Sequence, residues 1–106
     1  MSKKVELLYF DGCPSYKTTL KDLSEIVEQE GLDARIDLVR VGSEEDAKKL
    51  RFLGSPTVRV DGTDIDVTAG QSSNFGLMCR VFRVDGRLVG SPSKELLRQA
   101  MKAEPG

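Results

Sequence analysis

Apolar positions change their period along the chain, and each change marks an element. Val5-Glu6-Leu7-Leu8-Tyr9-Phe10 is a short apolar run ended by Asp11-Gly12, the pattern of a strand buried on both faces in a parallel or mixed sheet. Beyond Cys13-Pro14, the residues Tyr16, Leu20, Leu23 and Val27 recur at i, i+4, i+7 and i+11. That spacing predicts one buried face of a helix, with Pro14 at its first position and Gly31 at its end. Residues 34–41 carry Ile36 and Leu38 at period two, which predicts a second strand. Ser43 before Glu44, Glu45 and Asp46 reads as a cap followed by a first turn of acids, with Ala47, Leu50 and Leu53 as the apolar stripe of a short helix before Gly54.

Thr57-Val58-Arg59-Val60 is a third strand, running into a hairpin-type turn at Asp61-Gly62. Residues 68–76 are loop-like. Residues 78–84, Asp85-Gly86 and residues 87–89 read as another hairpin, whose Phe82-Arg83-Val84-Asp85-Gly86 echoes Val58-Arg59-Val60-Asp61-Gly62. The echo is two hairpins in the same turn grammar rather than a repeat. Ser91-Pro92-Ser93 opens a last helix with Leu96, Leu97, Ala100 and Met101 inward. The order strand, helix, strand, helix, strand, strand, helix predicts an α/β domain.

Composition narrows the chemistry that such a scaffold can carry. The 106 residues, 39% hydrophobic and 31% charged, fit one globular domain over 1–106 with no room for a second cofactor-binding fold. There is no histidine, which removes His-based acid/base pairs, Ser-His and Cys-His nucleophiles and His-containing zinc sites. Two cysteines cannot build a four-thiolate cage. Sixteen Lys and Arg against seventeen Asp and Glu, a formal net charge of −1, argue against nucleic acid as partner.

Lys3 and Lys4 precede an apolar run that Glu6 interrupts and Asp11-Gly12 stop, too short for a secretory core, and no stretch approaches the ~20 apolar residues of a membrane span. The expectation is a soluble cytoplasmic protein without membrane contact. In that compartment a thiol is reduced by default and a disulfide is transient rather than structural.

Candidate chemistry therefore centres on thiols. Cys13 follows a strand and a glycine at the start of a helix, where unpaired backbone N–H groups and the positive end of the dipole favour a thiolate. Asp11-Gly12-Cys13-Pro14 is a turn sequence, which predicts surface exposure. Gly54-Ser55-Pro56-Thr57-Val58 sends a proline into a strand directly after a helix. One solution is a cis Ser55-Pro56 bond, leaving the Ser55 backbone free to pair with an extended segment of a partner; the other is a trans proline on an edge or at a strand's first residue. Gly90-Ser91-Pro92 has the same tripeptide before a helix, where a first-turn proline suffices.

Strand, Gly-Cys-Pro, helix, strand, helix, Ser-Pro-strand, hairpin and final helix together resemble the thioredoxin-like fold over nearly the whole chain. Phe10-Asp11-Gly12-Cys13-Pro14 and the run from Gly54 to Gly62 are similar to those of small thioredoxin-like proteins, some loosely labelled alkylmercury lyase. The resemblance implies a central mixed β-sheet of about four strands flanked by three helices. It also implies that Cys13 is the attacking thiol and that Pro56 is cis and faces it; Ser55, Pro56, Tyr16 and Lys17 are the candidate substrate-side residues.

Where dithiol members have Cys-x-x-Cys, this chain reads Cys13-Pro14-Ser15-Tyr16, so no disulfide can form within that motif. Reaction either stops at a mixed disulfide with a small thiol, as in monothiol glutaredoxins, or is resolved by a distant cysteine. Cys79 is the candidate resolving thiol, 66 positions on (79 − 13), with Arg80 beside it to favour a thiolate; its alternative role is a small apolar residue on a strand. Loop 68–76, if mobile, would deliver it.

Lys17 can hold a glutathione carboxylate or be a solvated helix residue. Gly90-Ser91-Pro92-Ser93 lacks the paired acids that glutaredoxins often place before the last helix, so glutathione is a conceivable co-substrate rather than a built-in cofactor. Tyr16 can shield Cys13 or join the core, and Ser15 can donate to a thiolate or support the helix start. Thiol-disulfide exchange with a protein or small-molecule thiol is the leading expectation. The alternative is a binding module without turnover, for a peptide or for a thiophilic metal species such as a mercurial or copper(I). A literal organomercurial lyase would need paired thiols and an acid, for which Asp11, in a turn, is the nearest candidate.

Overall fold

The computed structural model describes residues 3–66, 75–77 and 80–102. Among the described residues nine elements follow one another: β1 (Lys3–Tyr9), α1 (Tyr16–Glu30), β2 (Ala34–Arg40), α2 (Glu44–Lys49), β3 (Thr57–Val60), β4 (Thr63–Asp64), β5 (Phe82–Val84), β6 (Arg87–Val89) and α3 (Lys94–Lys102). The fold is α/β, with a mixed four-stranded sheet in the order β2-β1-β3-β4 and three helices. β1 pairs in parallel with β2, from Lys3 opposite Ala34 to Tyr9 opposite Arg40, and antiparallel with β3, from Val5 opposite Val60 to Leu8 opposite Thr57. The fourth strand is the two-residue return of the Asp61-Gly62 turn. Among the described residues the later hairpin, β5 with β6, forms a separate two-stranded sheet.

β1 is buried on both faces because both faces are covered. Val5 and Leu7 point to one side and pack with Leu23 and Ile26 of α1, Val58, Ile65, and Leu97 and Met101 of α3. Leu8 points to the other and packs with Val41, Ala47 of α2 and Phe52. Alternation along one strand thus divides the apolar residues into two cores.

The predicted elements keep their order, but the described residues add to it the two-residue β4 and the hairpin's second strand, β6. The strand predicted over 78–84 is found at Phe82–Val84, with 78–79 outside the described residues; the other differences lie at element ends. α1 begins at Tyr16, so Pro14 stands one residue before the Ser15 cap, and Gly31 ends the helix in the left-handed region at φ 60°. Leu38 keeps its place in the strand, but it is 49% exposed because β2 is an edge strand.

The largest correction concerns residues 50–53. The stripe Ala47, Leu50, Leu53 assumes a helix that continues, yet α2 stops at Lys49 and Arg51 turns the chain at φ 55°. The Phe52 N–H then donates to Ala47 O at 2.8 Å, and Phe52 takes the buried position, leaving Leu50 37% exposed. Arg59 of β3 secures this turn by donating from Nη2 to the carbonyls of Leu50 (2.7 Å) and Arg51 (2.9 Å). Among the described residues, no helix is long and apolar enough to cross a membrane.

Candidate functional site

Antiparallel pairing of β3 with β1 fixes the site. Thr57 lies opposite Leu8, so Ser55 and Pro56, just ahead of β3, meet the loop that leaves β1 toward α1. Cys13 is in that loop, its N–H donating to Phe10 O at 3.3 Å. The Ser55-Pro56 peptide bond is cis. Cys13 Sγ lies 3.6 Å from Ser55 O and 4.0 Å from Ser15 Oγ.

Cys13 is disulfide-bonded. Its sulfur therefore has no proton to give, and the Ser15 hydroxyl is the donor across the longer of the two contacts. The chain's other cysteine, Cys79, the predicted resolving thiol, lies outside the described residues, as does most of the predicted loop 68–76. The turn sequence predicts an exposed Cys13, but the residue is only 2% exposed. The loop folds inward beneath Ser55, itself fully buried.

The Ser55 carbonyl is also not free. The Arg80 N–H donates to it at 2.9 Å, so the chain's own residue after Cys79 takes the backbone acceptor expected to receive a partner. On the other side of Cys79 along the chain, the Gly76 N–H donates to Phe52 O at 3.1 Å and the Leu77 N–H to Glu44 Oε1 at 3.2 Å. The guanidinium of Arg51 covers the Phe75 ring at 5.3 Å. Both flanks of Cys79 are thus fastened to the α2–β3 region.

Arg80, expected to favour a thiolate at Cys79, is itself engaged by carboxylates. Its side chain, 9% exposed, is held by Asp64 through Nη1 to Oδ2 at 2.8 Å and Nη2 to Oδ1 at 3.0 Å, with Asp66 at 3.6 Å. Nη1 also reaches Thr57 Oγ1 at 3.4 Å, and the guanidinium lies 4.9 Å from the centre of the Phe82 ring. Arg80 is an anchor of the segment, and sequence reading missed this cluster. The signal available was Asp64-Ile65-Asp66: alternation about the buried Ile65 puts both carboxylates on one side of the chain.

The remaining predicted residues sort by burial. Tyr16, half-buried, stacks on Tyr9 with ring centroids 4.1 Å apart and packs against the α1 core, so its ring extends that core toward the site. Lys17 is exposed on the first turn of α1. Ser15 caps α1 by position only, since its side chain makes no cap hydrogen bond. Gly90, after β6, approaches so closely that a Cβ there would stand 2.7 Å from Ser15 Oγ. Asp11 is paired with Arg40, Oδ2 to Nη2 at 2.6 Å, which ties the loop to the end of β2. The hydrogen bond from Arg40 and then the nearby charge of Asp11 raise the guanidinium pKa above its ordinary value.

Among the described residues, no three or more Cys, Asp or Glu side chains gather where they could hold a metal ion. Compared with protein-family models, curated proteins and solved structures, the chain gives no significant match.

Proposed function

We propose that the protein is a thioredoxin-like thiol-disulfide oxidoreductase whose redox pair is Cys13 and Cys79. The observation that carries the reading is the disulfide on Cys13, at the junction of β1, the start of α1 and Ser55-Pro56. With one other cysteine in the chain, an intramolecular bond has one partner available, and the Arg80 N–H on Ser55 O anchors the residue next to it at the same carbonyl.

The chemistry balances as two exchanges. The reduced Cys13 thiolate attacks a substrate disulfide, forming a mixed disulfide and expelling one substrate thiolate. Cys79 thiolate then attacks Cys13 Sγ, releasing the second substrate thiolate and leaving the Cys13–Cys79 disulfide. The substrate gains two electrons and the pair loses two; a small thiol such as glutathione restores the dithiol. With no histidine in the chain, the Cys13 proton goes to solvent. The positive end of the fifteen-residue α1 and the Ser15 hydroxyl favour the anion left behind. At 2% exposure, Cys13 must be uncovered before a protein substrate can reach the sulfur.

Trapping tests this reading. Cys79→Ser, treated with oxidised glutathione, should accumulate one glutathione on Cys13 by mass spectrometry, whereas the wild-type dithiol should expel it and end as the internal disulfide. A Cys79→Ser protein that takes no adduct while folded, or a wild type that retains one, overturns the reading. The burial of Cys13 favours a second role, a static crosslink. That role is identified by a disulfide that dithiothreitol cleaves only after unfolding.

A further inference from the structure

We propose that Arg80 is a positioning residue for the redox pair, its ion pair with Asp64 and Asp66 setting how readily the Cys13 disulfide is reduced. The inference rests on the reading of Cys13 and Cys79 as a reversible pair and deepens it.

Arg80 follows Cys79 directly, and its backbone and side chain are fixed by different elements. The N–H is bonded to Ser55 O, which also touches Cys13 Sγ. The guanidinium makes two short bonds to Asp64 of β4, reaches Thr57 of β3 and is 9% exposed. β3 is in turn bonded to β1, whose end leads to Cys13. One side chain therefore links the resolving segment to the strand pair that carries the attacking thiol. Surface ion pairs do little of this kind, but a bidentate pair out of water has a fixed geometry and is expensive to break on one side only.

The clamp acts on the equilibrium through the reduced state. In the disulfide form the bond itself tethers Cys79, with or without Arg80. In the dithiol form no covalent bond holds the segment that Arg80 fastens to Ser55 O and Asp64. Removing this anchor loosens the reduced segment and lowers its effective concentration at Cys13, which favours the dithiol. The reaction is disulfide plus two glutathione thiols giving dithiol plus glutathione disulfide.

The experiment is that equilibrium, read by alkylation and mass shift across a series of glutathione ratios. It is run on the full-length wild type, Asp64→Asn, Arg80→Lys, Asp66→Asn and, as a remote control, Glu25→Gln. Asp64→Asn should shift the equilibrium about tenfold toward the dithiol, ~30 mV for a two-electron couple. Arg80→Lys, which keeps the charge but not the fork, should also shift toward the dithiol but by less, and Asp66→Asn, at the longer distance, by less than Asp64→Asn. Glu25→Gln should leave the equilibrium unchanged. If Asp64→Asn does not fold, Arg80→Lys decides. Folded variants that all titrate with wild type overturn the clamp while leaving the redox reading intact. A wild-type disulfide that never equilibrates with glutathione overturns both.

Discussion

Removing the Cys13 crosslink should cost the domain a large share of its stability, and the size of that loss follows from the loop it closes. The substitution is Cys79→Ser, which spares the buried residue: Cys13 keeps its place, and its restored S–H can donate to Ser55 O, 3.6 Å away. A bond between Cys13 and Cys79 spans 66 positions (79 − 13). Closing such a loop removes about 15 cal/mol/K of chain entropy from the unfolded state, or about 4 kcal/mol at 25 °C.

Domains of this size are held by roughly 5–15 kcal/mol in total, so the variant should be folded but marginal. Urea unfolding at 25 °C measures the difference. With a slope of ~2 kcal/mol/M, the midpoint should fall by about 2 M. The slope should also rise, because an uncrosslinked unfolded chain exposes more surface. A loss below ~1 kcal/mol with an unchanged slope would refute the reasoning, since it would mean that the bond restrains little of the unfolded chain.

Three further outcomes test the frame around the site. Ile26→Ala, at a fully buried position between α1 and the sheet, should lower the unfolding free energy by about 2–5 kcal/mol in urea melts; a change below ~1 kcal/mol would contradict the close-packed core. Ser43→Ala removes the oxygen that accepts the Asp46 N–H at 3.1 Å and should cost about 1 kcal/mol, with the Asp46 amide exchanging its hydrogen faster. Glu25 titrates below its ordinary value, first because Lys94 donates a hydrogen bond to it at 2.7 Å and then because of the lysine's charge. A depressed carboxyl pKa contributes stability that is present above the unfolded value and is lost as pH falls through the folded one. Lys94→Met should return the Glu25 carboxyl titration, followed by NMR, toward the ordinary range; an unmoved titration would show that the pair does not form in solution.

Sequence pattern was most informative where one local rule acts alone. The 3.6 period of Leu20, Leu23 and Val27, the left-handed Gly31 and the Ser43 cap each depend on neighbours a few residues away, and each is found at its place. Pattern failed at Phe52, because a single residue, Arg51 at φ 55°, breaks the period, and nothing in its side chain marks it for that conformation.

The site divides in the same way. Cys13 beside a helix start and Pro56 ahead of a strand are local motifs, so their neighbourhood was legible. The occupant of Ser55 O was not, because Arg80 reaches it from 25 positions away (80 − 55). Nor was the burial of Cys13, since a turn-forming sequence reports backbone shape and not what packs over it. A charged residue beside a cysteine suggested thiolate activation; the carboxylates that claim the charge arrive from the β3–β4 return, a tertiary fact.

The proposed pairing, with a resolving thiol 66 positions away, would tie redox chemistry to folding in a way that a Cys-x-x-Cys turn does not. When both cysteines lie within one helical turn, their proximity is largely covalent and survives unfolding. In this chain the contacts around the proposed pair are tertiary: β1 pairs with β3, the Arg80 N–H is on Ser55 O, and Arg80 is paired with Asp64. Because a thermodynamic cycle must close, the ~4 kcal/mol by which the crosslink stabilises the fold is also the amount by which folding stabilises the crosslink. That corresponds to roughly a thousandfold in the disulfide equilibrium, or ~90 mV. On the proposed pairing, relaxing the Arg80–Asp64 anchor should therefore make the internal disulfide easier to reduce without touching either sulfur.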